Sequence, residues 1–180
     1  MKKTLLTLAI GLGLASNAAF ANTGSINFYG QVHAGTCPIV IIDPEFGTPA
    51  ARIKMGNVNV SEFETVGSEA ASRTFGMRIT PGNGCVVTAG TASVTFTGAY
   101  GGAGTGGALY ALEPVGANNL ALIIKDNTGT PVNNGSPSKD YPVDDTLPTT
   151  LIFTAAYKST GAAVTPGAAN TDVQFLVDIP

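Results

Sequence analysis

Charge is scarce in this 180-residue chain. Only 12% of its residues are charged, and nine Lys and Arg stand against twelve Asp and Glu for a net charge of −3. So few basic residues leave no electrostatic footprint for nucleic acid or for an anionic membrane surface. Tryptophan is absent and His33 is the only histidine. A general base needs an orienting partner and a nucleophile beside it, and neither can be identified near His33. Two cysteines and that one histidine, unclustered, cannot supply four zinc ligands. Nothing between Asn22 and Pro180 holds a helical period for twelve residues without a Gly or Pro interruption, apart from a short turn near Ser61 to Ala71. No nucleophile, base and oxyanion trio can be assembled. The expectation is a non-enzymatic protein that needs no cofactor.

What is present begins with an export signal. Lys2 and Lys3 precede an apolar run from Leu5 to Leu14, and Ala19-Phe20-Ala21 forms a small-x-small cleavage site. The run is too short and too early to span a bilayer, so residues 1–21 read as a signal peptide. The remaining chain is long enough for one domain with its own core. Export places Cys37 and Cys85 in an oxidising compartment, where the only two cysteines of a chain are expected to pair. A closed loop of roughly 50 residues carries about 4 kcal/mol in the chain-entropy account of disulfides.

The dominant signal is alternation. At the start of the mature chain Gly24, Ile26, Phe28, Gly30 and Val32 alternate with polar partners, and at its end Val173, Phe175, Val177 and Ile179 do the same. Period two marks β-strands with one buried face. It recurs at Ile53 and Met55, at Phe75, Met77 and Ile79, at Val94 and Phe96, at Leu120, Leu122 and Ile124, and at Leu151, Phe153, Ala155 and Tyr157. Turn residues separate the runs: Pro81-Gly82-Asn83-Gly84, Asp126-Asn127-Thr128-Gly129, Asn133-Asn134-Gly135 and Thr165-Pro166-Gly167. Some seven short strands and no helix predict an all-β sandwich, with the odd-numbered sets of 75–79 and 151–157 facing the core. Exposed apolar edge strands template pairing and are normally avoided. A chain with one at each end is expected to use them for assembly with another protein.

Two local patterns resemble binding motifs and are read otherwise. Gly102-Ala103-Gly104-Thr105-Gly106-Gly107 satisfies G-x-G-x-x-G, but a dinucleotide site needs a helix to follow, and Pro114 and Gly116 arrive too soon. It is expected to be a loop. Asp140, Asp144 and Asp145 lack the tight spacing and the six to eight oxygens that calcium requires, so they read as a solvated loop.

Three blocks, in order, resemble the structural subunits of chaperone-usher fimbriae of Gram-negative bacteria, of the type 1-like major pilin kind. They are Gly24 to Val32 followed by Cys37, the span from Ile53-Lys54-Met55-Gly56 to Gly84-Cys85, and Tyr157 through Pro166-Gly167 to the last alternating strand. The resemblance implies an incomplete immunoglobulin-like β-sandwich, the pilin fold, completed by a donated strand. It divides the chain into a signal peptide (1–21), an N-terminal donor-strand extension (22–36) and a pilin domain (37–180). Carried over by position, Gly24, Ile26, Phe28, Gly30 and Val32 are the donor face, and Val173, Phe175, Val177 and Ile179 line the acceptor groove and meet the chaperone.

The implied partners are identical or related fimbrial subunits, a periplasmic chaperone, an outer-membrane usher and a host glycan or protein receptor. The implied location is a cell-surface fimbrium reached through the periplasm. One departure stands at the C-terminus, where Ile179-Pro180 replaces the family's penultimate Tyr. The leading expectation is a polymerising fibre subunit that supports adhesion. The alternatives are a minor adaptor or a carbohydrate-binding adhesin. Tip adhesins of the family resemble two-domain chains without a donor extension, and this chain has one domain and keeps the extension.

Overall fold

The computed structural model describes residues 37–43, 48–49, 52–82, 84–87 and 90–179. The expected leader 1–21, the alternating segment Gly24 to Val32 and His33 lie outside the described residues. Ten strands follow in chain order: β1 (Ile39–Asp43), β2 (Thr48–Pro49), β3 (Glu69–Ile79), β4 (Gly90–Gly98), β5 (Gly102–Ala103), β6 (Leu109–Ala111), β7 (Leu120–Asp126), β8 (Tyr141–Val143), β9 (Thr149–Ser159) and β10 (Val173–Asp178). They form two antiparallel sheets. The larger has the order β2-β1-β3-β9-β7-β6-β5, and the smaller has β10-β4-β8.

The expected alternation holds where the strands are longest. Phe75, Met77 and Ile79 of β3 and Leu151, Phe153, Ala155 and Tyr157 of β9 are all buried. The register sets Phe75 opposite Phe153. Their rings stack with centroids 5.7 Å apart, and Phe96 of β4 meets Phe153 edge-on at 5.0 Å. Tyr141 of β8 adds a fourth ring 5.3 Å from Phe153. Edge-on and offset aromatic contacts add about 0.5–1.5 kcal/mol each to simple burial, so this cluster ties the two sheets together. Burial pushes the Tyr141 hydroxyl up to about 12, and it donates to the Ile152 carbonyl at 2.9 Å. Cys37 and Cys85 are joined in a disulfide, as their export predicts.

Strand β7 departs from simple alternation, since Leu120 to Ile124 are buried on both faces. On the face away from the core, Ile123 pairs with Ala156 of β9. Lys125 of β7 and Lys158 of β9 both salt-bridge Glu69 of β3, so the ion pairs cross β9 on the face that Ala156 shares.

One expected strand does not form. Ile53 and Met55 alternate in burial with Lys54, but residues 52–59 make no ladder and run as irregular chain. The short turn expected near Ser61 to Ala71 is a single 3-10 turn, Val60–Glu62, capped by the Asn59 side chain accepting from the Ser61 N–H at 3.0 Å. The chain then turns at Gly67, whose positive φ of 93° suits glycine, and its N–H donates to Ser159 Oγ at 2.9 Å. This tertiary anchor overrides the weak local helical preference.

Candidate functional site

Strand β10 pairs with β4 in continuous register from Val173 opposite Gly98 to Asp178 opposite Ser93. Its burial alternates strictly. Val173, Phe175 and Val177, and Ile179 just beyond, are half-buried and packed against the core, while Gln174, Leu176 and Asp178 are exposed. Phe175 lies opposite Phe96, so the strand's apolar face continues the aromatic cluster. Among the described residues β10 is the outermost strand of its sheet. The four side chains expected to line an acceptor groove are thus brought together on one face of one edge strand. The five expected donor residues, Gly24, Ile26, Phe28, Gly30 and Val32, lie outside the described residues.

The opposite flank of β4 is closed by the chain itself. Beyond β8, residues 134–138 run along β4: Gly135 N–H donates to Phe96 O at 2.8 Å and Ser138 N–H to Val94 O at 2.8 Å. Asn134 Oδ1 accepts from Gly98 N–H at 2.9 Å, and Ser138 Oγ accepts from Val94 N–H at 3.0 Å. Side-chain oxygens thereby stand in for backbone acceptors, which leaves these buried amides satisfied.

The approach to β10 is held from both sheets. Glu113 N–H donates to Asn170 O and Ala99 N–H to Asp172 O, each at 2.9 Å, while Thr171 Oγ1 donates to Ala111 O at 2.7 Å. The Tyr100 hydroxyl donates to the carboxylates of Asp172, at 3.3 Å, and Glu113, at 3.4 Å. Partial desolvation and these two carboxylates hold its pKa above the ordinary tyrosine value.

Sequence reasoning missed a cleft of about 400 Å³ just before β10, lined by Val58, Val60, Phe63, Ala117, Leu120 and the segment Val164 to Ala169. Its wall is two loops in backbone contact. Ala117 N–H donates to Ala168 O at 2.8 Å, and a Cβ on Gly116 would meet that same oxygen at 2.1 Å. The only signal was Pro166-Gly167, read as punctuation. Its glycine is required because a Cβ there would fall 2.6 Å from Ala117 N.

The motifs set aside behave as expected. Gly102 to Gly107 folds as a tight hairpin between β5 and β6, where a Cβ on Gly102 would sit 2.4 Å from Gly107 O. Asp144 Oδ1 accepts from Leu147 N–H at 2.7 Å and Thr146 N–H at 2.8 Å, bonds that hold its pKa low. It closes a turn.

The fimbrial protein family matches residues 26–180, which is most of the chain. The chain belongs to the fimbrial protein family. It is 31% identical to the fimbrial subunit type 1 of Klebsiella pneumoniae, covering 97% of each chain. It is 30% identical to the type-1 fimbrial protein A chain of Escherichia coli K12, again over 97% of each. A subunit in the structure of a chaperone-usher pilus superposes with a TM-score of 0.59 at 21% identity, covering 88% of this chain and 96% of its own. That last likeness establishes a shared pilin fold.

Proposed function

We propose that this fimbrial subunit polymerises by β-strand addition, with the extension 22–36 of one copy occupying the edge of β10 in the next. The carrying observation is β10 itself: the outermost strand of its sheet among the described residues, with Val173, Phe175, Val177 and Ile179 half-buried on one face. Backbone hydrogen bonds to such an edge give affinity, and alternate side chains seated against the core give specificity. The donor face Gly24, Ile26, Phe28, Gly30 and Val32 has the matching period. A periplasmic chaperone covers β10 first and delivers the subunit to an outer-membrane usher. The product is a cell-surface fibre that supports adhesion. One domain with a donor extension argues against a tip adhesin.

The test is a thermal melt of residues 37–180, alone and with a peptide of residues 22–36. Each fully buried aliphatic or aromatic side chain contributes roughly 1.5–3 kcal/mol, so Ile26, Phe28 and Val32 together supply about 5–9 kcal/mol toward seating the peptide, and backbone hydrogen bonds to β10 add to it. The expected result is a melting temperature raised by about 10 °C or more. A peptide carrying Gly30→Thr should lose most of that gain, because a branched side chain in a space sized for glycine costs on the order of 1–3 kcal/mol. Equal melting with and without the parent peptide would refute the mechanism.

A further inference from the structure

The two sheets have four outermost strands among the described residues, β2 and β5 in the larger and β8 and β10 in the smaller. An outermost strand offers its outward backbone groups to any extended chain that meets it. Strands β2 and β5 are two residues long, and Pro49 takes one of the two positions in β2. Strand β10 has six residues, none of them proline. Between these cases lies β8, with three residues, Tyr141–Val143, and a proline in the middle.

Register decides which way that proline faces. Successive residues of an antiparallel strand direct their backbone groups alternately toward the partner and away from it. The Gly98 and Val94 amides and the Val94 and Phe96 carbonyls all bond to residues 134–138, so the even positions of β4 face this flank. Ala92 with Tyr141 and Gly90 with Val143 are therefore the bonded pairs, and Pro142, opposite Thr91, points outward. It has no N–H to offer. Pro137, bridged to Thr95, faces outward for the same reason. The next outward amide after Pro142 is that of Asp144, and it donates to Thr149 Oγ1 at 3.0 Å. Charge completes the border, with Lys139 and Asp140 before β8 and Asp144 and Asp145 after it. By the same alternation the outward positions of β10 are Val173, Phe175 and Val177, each of which carries an N–H.

We infer that Pro137, Pro142 and Thr149 confine strand addition to β10. The two prolines do so by lacking a donor, and Thr149 by engaging one. The strand they exclude is the extension 22–36 of another copy, which would otherwise find two borders on the smaller sheet. The inference rests on the strand-addition reading. One accepting border gives each subunit a single incoming strand, so the fibre grows as an unbranched chain. Two would let it branch.

Pro142→Val combined with Thr149→Val restores two successive outward amides, and assembled fibres, whose β10 borders are already filled, are the place to test it. A fluorescent peptide of residues 22–36 should bind parent fibres only at their ends, far below one per subunit. The double variant should bind severalfold more, rising toward one per subunit, and electron microscopy should show branched fibres. Pro114→Ala, at an exposed proline outside the strands, should behave as the parent. Parent fibres that take up peptide along their length would overturn the inference, because the β8 border would then accept a strand as it stands. Double-variant fibres that bind no more than the parent would overturn it too, since missing donors would not be what excludes the strand. A parent chain that forms no fibres would overturn strand addition and this inference with it. Pro142→Ala alone, which also restores an N–H, replaces the double variant if that chain fails to fold, with the same severalfold rise expected and its absence equally decisive.

Discussion

Strand β4 has two flanks, and they are finished in different ways. On one, residues 134–138 and β8 lie along it, and the oxygens of Asn134 and Ser138 accept from the Gly98 and Val94 amides. On the other, β10 pairs through six residues and presents an apolar face still half-exposed. The first flank is closed by polar groups that satisfy backbone donors locally. The second carries its hydrophobic side chains to the border of the core. The two flanks of β4 thus differ in chemistry: on one, side-chain oxygens satisfy backbone amides, and on the other, the strand that pairs with it carries an apolar face.

The comparison breaks first at the strand both flanks share. Phe96→Ala should cost about 3–5 kcal/mol, because Phe96 is buried between Phe153 and Phe75 and its ring cannot be replaced from either side. Urea unfolding of the folded subunit measures it. Reducing the Cys37–Cys85 bond should follow at roughly 4 kcal/mol or less, read in the same way with and without reductant.

The flanks should then separate by readout. Phe175→Ala on the half-buried flank should cost the isolated domain only about 1–2 kcal/mol yet reduce fibre assembly severalfold, scored by electron microscopy and multimer yield. Asn134→Ala on the closed flank leaves the Gly98 amide without its acceptor and should cost a similar 1–2 kcal/mol. Assembly should proceed at the parental rate. If the two variants impair assembly equally, the flanks are not functionally distinct.

The smallest effect lies away from both flanks. Desolvation raises the Glu69 pKa, but hydrogen bonds and charge from Lys125 and Lys158 outweigh it and leave the carboxyl below its ordinary 4.5. A depressed folded value stabilises the protein above pH 4.5, and that contribution is lost as the pH falls through the folded value. Glu69→Gln should therefore be slightly less stable than the parent at pH 7, by under about 1 kcal/mol for so exposed a cluster. The two should converge in acid, as stability curves between pH 7 and pH 2 will show.

Much of this was legible in the chain. Period two in 75–79, 151–157 and 173–179 named the strands and their inner faces, because a strand's side chains alternate whatever it pairs with. Two cysteines after an export signal named their bond. The inner face of β10 was legible for the same reason as the core, since Val173, Phe175, Val177 and Ile179 fall at every second position.

Other features depended on contacts distant in sequence. Whether Ile53 and Met55 join a ladder depends on an available edge, and residues 52–59 find none. The turn at Gly67 is set by Ser159, far along the chain. The cleft arises where Gly116 and Gly167 let two loops touch backbone to backbone, a proximity no local pattern encodes. Local alternation thus determined which residues form strands and which way they face, because that depends only on the geometry of an extended chain. Which strand stands at the border and which flank is closed were decided by the tertiary structure, because they depend on what pairs with what.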